Sequence, residues 1–233
     1  MTKLETGIDA LDRKLDGGFP GGTLLGLVAP PDAPSSRILH ELMKQRSTTY
    51  VTTLRPESDI ATELMRMGNG QIDVDFEEVG EVRQKTEILH SFTESEIYAA
   101  NIREQEQILD EVNEAVQTIG DGENLIIDPM NPLETSDSRL AYQELLRSIA
   151  SKLREVNGLG ILHCLSHGEP PAFREVTLTM VDAVWNLEMG TDNEGNLALK
   201  MSIPKNRGGE LIFENTTLLV DRNRVYTDIS RGI

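Results

Sequence analysis

Apolar and polar positions along the chain follow two alternating periods. Short runs in which nearly every position is apolar or β-branched mark strands buried on both faces. These are Thr23–Ala29 (TLLGLVA), 48–54 (TTYVTTL), Asn124–Asp128 (NLIID) and 158–166 (GLGILHCLS), with a shorter alternating run at 71–76 (QIDVDF). Between them lie stretches of helical spacing. The spacing predicts helices over 36–45, over 58–67 with Gly68 as the C-terminal cap, over 93–119, over 138–156 and over 173–180. Within 93–119 the apolar positions are Ile97, Ile108, Leu109, Val112, Val116 and Ile119. In 138–156 they are Leu140, Leu145, Ile149, Leu153 and Val156. From Ala183 onward the pattern changes to short strands, AVWNLEM, LALKMSI, ELIFE, TTLLV and RVYTD, joined by Gly and Asn turns. Two thirds of alternating β and α followed by one third of β predicts an α/β fold. Its mainly parallel central sheet is flanked by helices and extended by antiparallel C-terminal strands. Such sheets bind ligands beyond the carboxyl ends of their strands, so the loops after Ala29, Leu54 and Asp128 are the ones to inspect.

Composition narrows the function. The 233 residues suit one domain with a sizeable core. There are 39 acidic residues against 22 basic ones, for a net charge of −17, and only 7 of the 22 are Lys. A free nucleic-acid binder carries a basic face, and this chain as a whole does not. Dense carboxylates with few lysines read as a surface adapted to high salt, pointing to a halophilic archaeon, with an acidic interaction surface as the rival reading. A lone Cys164 in an apolar run excludes an internal disulfide and reads as an inert buried thiol. No run approaches about 18 consecutive apolar residues, which argues against membrane insertion. The opening MTKLETGIDALD has no apolar leader segment, so the cytoplasm is the expected location.

Thr6, Gly7, Ile8, Leu11, Asp12, Leu15, Gly17, Gly18, Pro20 and Gly22 form the pattern T-G-I-x-x-L-D-x-x-L-x-G-G-x-P-x-G ahead of the first buried strand. This resembles the start of KaiC-like domains of the RecA superfamily. NLIIDPMNPL then looks like their Walker B strand, GILHCLSH like the next core strand, and LALKMSIPKNRGG like their late strand and K-x-R-G segment. The resemblance implies a RecA-like three-layer domain spanning 1–233. Its parts are the family motif at 1–22, the α/β core at 23–182 and the β extension at 183–233. It also implies ATP and magnesium as ligands, with Asp128 on the metal and with Lys205 and Arg207 reaching a neighbouring subunit's nucleotide in a homo- or hetero-oligomer. The residues leave a plainer reading open for each: a strand-end turn of Asp128 with Pro129, and a solvated turn at PKNRGG.

The phosphate loop departs from its pattern. A working loop reads G-x-x-x-x-G-K-[ST], in which glycines let backbone N–H groups close on phosphate and the Lys neutralises it. Here it reads APPDAPSS, Ala29 to Ser36. Ala29 and Pro34 replace the glycines, Ser35 replaces the Lys, and Asp32 brings negative charge. Only Ser36, the magnesium-binding hydroxyl, is kept. Arg37 follows, but one residue on in a helix turns it about 100° away. Leu54 and Arg55 stand where the resemblance implies catalytic Glu, with Glu57 nearby as a weak substitute. Each lost charge-assisted contact costs roughly 1.5–3 kcal/mol, and each 1.4 kcal/mol is about tenfold in affinity.

These departures predict a non-catalytic protein acting in regulation or signalling through a protein partner, such as an ATP-competent paralogue. Two alternatives stand beside it. One is a weak ATP binder or slow ATPase using Ser35, Ser36, Arg37, Asp128 and Glu57, with magnesium on Ser36 and Asp128. The other is a RadA-like accessory protein in DNA repair, against which stands the scarcity of basic residues in PMNPLETSDSR and HGEPPAFREV. His163 and His167 are not a metal pair: four residues of extended strand separate them by roughly 13 Å.

Overall fold

The computed structural model describes residues 3–67, 72–79, 107–191, 195, 197–207, 209, 212–220 and 225–227. The opening motif folds locally before the chain enters the sheet. β1 (Lys3–Leu4) pairs antiparallel with β2 (Phe19–Pro20), and α1 (Asp9–Lys14) lies between them in sequence. Asp12 gives the motif its spacing. Its carboxylate accepts the N–H of Thr6 at 2.7 Å and of Gly7 at 3.1 Å, while the Thr6 hydroxyl accepts the N–H of Ile8 at 3.2 Å. Gly18 is required where it stands. Its φ is +110°, and a Cβ there would meet the Leu4 carbonyl oxygen at 2.3 Å.

The chain continues as β3 (Thr23–Ala29), α2 (Ser35–Met43), β4 (Thr48–Thr52), α3 (Glu57–Met67), β5 (Val74–Glu78), α4 (107–117) and β6 (Asn124–Asp128). A 3-10 turn at Leu133–Thr135 leads to α5 (Arg139–Glu155), β7 (Leu159–Leu165), α6 (Arg174–Met180), β8 (Ala183–Thr191), β9 (Leu197–Asn206), β10 (Ile212–Val220) and β11 (Val225–Thr227). The described strands β3 to β11 form one sheet in the order β11-β10-β9-β8-β3-β7-β6-β4-β5. Pairing is parallel from β8 through β5 and antiparallel from β8 out to β11. This is the α/β architecture expected from the sequence, with β3 and β6 at the expected residues.

Period-two alternation splits the core between the two sheet faces. Leu25, Leu27 and Ala29 pack with Tyr50, Ile126 and Ile161 and with Ile38, Leu39 and Leu42 of α2. Leu24, Val51, Leu125, Ile127 and Leu162 pack on the other face against α4 and α5 through Val112, Val116, Leu146, Ile149 and Leu153. Gly160 admits α5 close to the sheet, because a Cβ there would meet Leu153 Cδ1 at 2.3 Å. α5 starts at a Ser138 cap, whose hydroxyl accepts the Ala141 N–H at 3.2 Å.

Three expectations are adjusted. ELIFE and TTLLV are not two strands: residues 212–220 run as the single strand β10, with a register irregularity against β9 between Ile212 and Thr216. β9 continues through Asn206, so Lys205 is on a strand rather than in a turn. β5 starts at Val74, three residues after the alternating run begins. The expected helix over 93–119 is described only over 107–117, and its earlier part and the Gly68 cap lie outside the described residues.

Candidate functional site

The loop after β3 sits at the carboxyl edge of the sheet, where the Ala29 carbonyl accepts the Ser166 N–H from the end of β7 at 2.8 Å. Three of its residues, Pro30, Pro31 and Pro34, have no N–H to offer. Two further donors turn inward: Ala33 N–H bonds the Pro30 carbonyl at 3.0 Å and Ser35 N–H bonds the Ala33 carbonyl at 2.7 Å. Arg37 N–H bonds the Pro34 carbonyl at 3.0 Å. No residue from 29 to 36 has a positive φ. A nest built by alternating right- and left-handed residues holds an anion on converging N–H groups, and residues 29–36 contain no left-handed residue. Ser35 is buried, Ser36 half-buried and Asp32 exposed. Arg37 Nη1 donates to the Met67 carbonyl at 3.0 Å, joining the start of α2 to the end of α3.

Asp128, at the end of β6, lies on the α2 side of the sheet with Tyr50 of β4 and His163 of β7. All three side chains are buried. The Tyr50 hydroxyl donates to Asp128 Oδ2, and His163 Nδ1 lies 2.6 Å from Oδ1. An ionised carboxylate only accepts, so His163 carries its proton on Nδ1. Burial raises the Asp128 carboxyl, but the His163 and Tyr50 hydrogen bonds and the Arg55 charge outweigh it, and the group titrates below its ordinary 3.8. Burial, and next the Asp128 charge, push the Tyr50 phenol well above its ordinary value, so it stays a donor. The backbone closes the same corner. Thr53 N–H donates to the Asp128 carbonyl at 3.1 Å, Thr53 Oγ1 to the Pro129 carbonyl at 2.5 Å, and Met130 N–H to the His163 carbonyl at 2.7 Å. His163 Nε2 is buried without a partner among the described residues.

The remaining candidates stand apart from this corner. Leu54 is 55% exposed, and Arg55 pairs with Glu63 of α3 at 2.7 Å. Glu57 is exposed in the first turn of α3, where its N–H donates to Glu78 Oε1 at 2.7 Å. Lys205 and Arg207 converge on the C-terminal end of α6. Lys205 Nζ donates to the carbonyls of Leu178 (2.6 Å) and Thr179 (2.9 Å), and Arg207 Nη2 donates to Thr179 (2.7 Å). These are orphan helix carbonyls, so both cations act as a C-terminal cap within the chain. Burial, and next the Arg207 charge, lower the Lys205 ammonium.

Sequence reasoning missed two groups. From the sequence, Tyr50 is one residue of a β-branched strand and His163 one of two histidines too far apart to share a metal; strand register brings both to Asp128. Beneath the loop after β6, Glu134 is fully buried and accepts from Arg174 Nε (2.8 Å), Arg174 Nη2 (2.7 Å) and Thr177 Oγ1 (2.6 Å). Tyr142 reaches the Thr177 hydroxyl at 2.7 Å, and Asn131 brackets Leu165 through its N–H (2.9 Å) and its carbonyl (3.0 Å). This network ties the loops after β6 and β7 to α6. Cys164 is buried as expected, and burial, then the Glu134 charge, push its thiol far up. Among the described residues no cluster of three or more His, Cys, Asp or Glu could hold a metal, and no helix is long and apolar enough to cross a membrane.

A mostly parallel sheet with helices on both faces and an antiparallel extension is the RecA-like fold of KaiC-like proteins. The crystal structure of a KaiC-like protein from the hyperthermophilic archaeon Pyrococcus horikoshii superposes with a TM-score of 0.68 at 15% identity, covering 97% of this chain and 99% of that one. By sequence the chain belongs to the family of unknown function DUF7125, which matches residues 3–233. No curated protein matches it. Because 570 solved chains share the fold, the fold by itself assigns no activity.

Proposed function

We propose that this protein is a non-catalytic member of the KaiC/RecA-like class, one domain over its length, that works through contact with another protein. The observation that carries this reading is Asp128. Its carboxylate is buried and each oxygen already accepts a hydrogen bond from a side chain, Tyr50 or His163. Burial keeps the remaining lone pairs of this carboxylate from solvent, where a magnesium-bound water would have to meet them. The loop after β3 supports the same conclusion as a degenerate Walker A motif: its prolines, inward N–H groups and lack of a lysine do not fit a triphosphate.

A partner follows from what remains. A scaffold whose nucleotide corner has become core acts by its surface, and a paralogue with an intact site is the partner we favour, in a hetero-oligomer. Lys205 and Arg207 can reach such a partner only by leaving the end of α6. The acidic surface we assign to life at high salt. Calorimetry with Mg-ATP at multimolar KCl tests the first half of the reading: no heat of binding up to millimolar ATP is expected, and micromolar affinity would overturn it. Co-purification from the native host tests the second half; a chain recovered alone and monomeric would remove the partner.

A further inference from the structure

A concavity lies away from the loop after β3, where the chain leaves β2 to enter β3 and where β9 ends. It encloses about 540 Å³, a volume suited to a small ligand rather than a flat protein interface. Its wall carries Lys3, Arg13 and Lys14, three of only 22 basic residues in a chain of net charge −17. Two of these cations are held in place. Lys3 Nζ donates to the carbonyls of Leu15 (3.1 Å) and Gly18 (3.4 Å), and Lys14 Nζ donates to Thr216 Oγ1 at 2.8 Å. Each ammonium has three N–H donors, so these bonds position the charge without exhausting it. Arg13 is exposed and adds a planar fork of donors. Leu15 and Phe19 back the wall but are almost wholly buried in the core, so what a ligand meets there is mainly polar. Among the described residues Asp16 is the one carboxylate on the wall.

We propose that this cavity binds a small phosphate-bearing anion, its phosphate held by Lys3, Arg13 and Lys14. The local excess of positive charge favours an anion at contact distance, the range over which salt screens it least. Positioned ammonium groups lose little freedom on binding.

Calorimetry on the whole protein with sodium pyrophosphate as the probe tests the site. Saturable one-to-one binding is expected. The Arg13→Gln/Lys14→Gln variant should bind at least roughly tenfold more weakly, the loss of one charge-assisted contact or more. Asp16→Asn should tighten binding severalfold; the Asp16 φ of +54° is one that Asn also adopts, so the fold is kept. Ser36→Ala should bind as the wild type does. The proposal is overturned by absent saturable binding, by unchanged affinity in the double Gln variant, or by loss in Ser36→Ala, which would move the site to the loop after β3. Tighter binding of citrate than of pyrophosphate would also overturn the phosphate assignment.

Discussion

Asp128→Ala is the sharpest test of whether this carboxylate is structural or kept for chemistry. The substitution leaves the Tyr50 hydroxyl and His163 Nδ1–H buried and without their acceptor. Hydrogen bonds to a charged group are worth about 1.5–3 kcal/mol each. Part of that sum is returned, because a buried charge no longer has to be kept from water. Two buried donors left unsatisfied, at about 1–3 kcal/mol each with part returned, put the net cost at about 3–5 kcal/mol. For a chain of this size 1 kcal/mol moves the melting midpoint by roughly 2–4 °C, so a fall of about 6–20 °C is expected. Thermal melts by circular dichroism, with urea titrations alongside, measure it. Tyr50→Phe, alone and with Asp128→Ala, completes a double-mutant cycle, with a coupling of about 1–2 kcal/mol expected. A carboxylate held free for a cation behaves oppositely: removing it leaves stability unchanged or raises it. An Asp128→Ala variant within about 0.5 kcal/mol of wild type, inside the range of ordinary surface substitutions, refutes the structural role.

Acid should weaken the fold through the same residue. A carboxyl whose folded value lies below its ordinary 3.8 contributes stability that is present above that pH and lost as the pH falls toward the folded value; stability against pH, compared with Asp128→Asn, should show that acid limb only in the wild type. Arg174→Ala should destabilise by about 3–5 kcal/mol by leaving Glu134 charged and buried, whereas Glu134→Leu with Arg174→Met should recover most of the loss, as urea midpoints will show. Lys205→Ala with Arg207→Ala should lower stability by about 0.5–2 kcal/mol through the lost cap on α6, even with no partner present; an unchanged melting point would contradict the capping role. Restoring the loop with Ala29→Gly, Pro34→Gly and Ser35→Lys should still give no micromolar Mg-ATP binding by calorimetry, because Asp128 stays engaged; recovery of binding would show the rest of the site to be intact.

Much of the fold was legible because it rests on local rules. TLLGLVA and NLIID are strands since each has a short apolar interior too brief for a helix, and the run from Ser138 is a helix since its cap and its 3.6-residue spacing agree. The opening motif could be read for the same reason: Asp12 satisfies donors only five and six residues away. The merging of ELIFE with TTLLV was not legible, because pairing with β9 carries the strand across residues that read as a break.

At the candidate site the division is the same. By itself the sequence determined what the loop after β3 lacks, since missing glycines and a missing lysine are properties of residue type. It also determined that Asp128 ends a buried strand. Only the tertiary structure decided what Asp128 does instead. Tyr50 is 78 residues before it and His163 is 35 after it, and nothing in either neighbourhood marks a partner. Parallel registry of β4, β6 and β7 brings the three side chains together on one face, and burial then turns their proximity into hydrogen bonds that fix the carboxylate. The cations show the reverse case: K-x-R-G spacing alone suggests reach toward a neighbour, but the end of α6 lies close enough for its unpaired carbonyls to hold Lys205 and Arg207 within the chain.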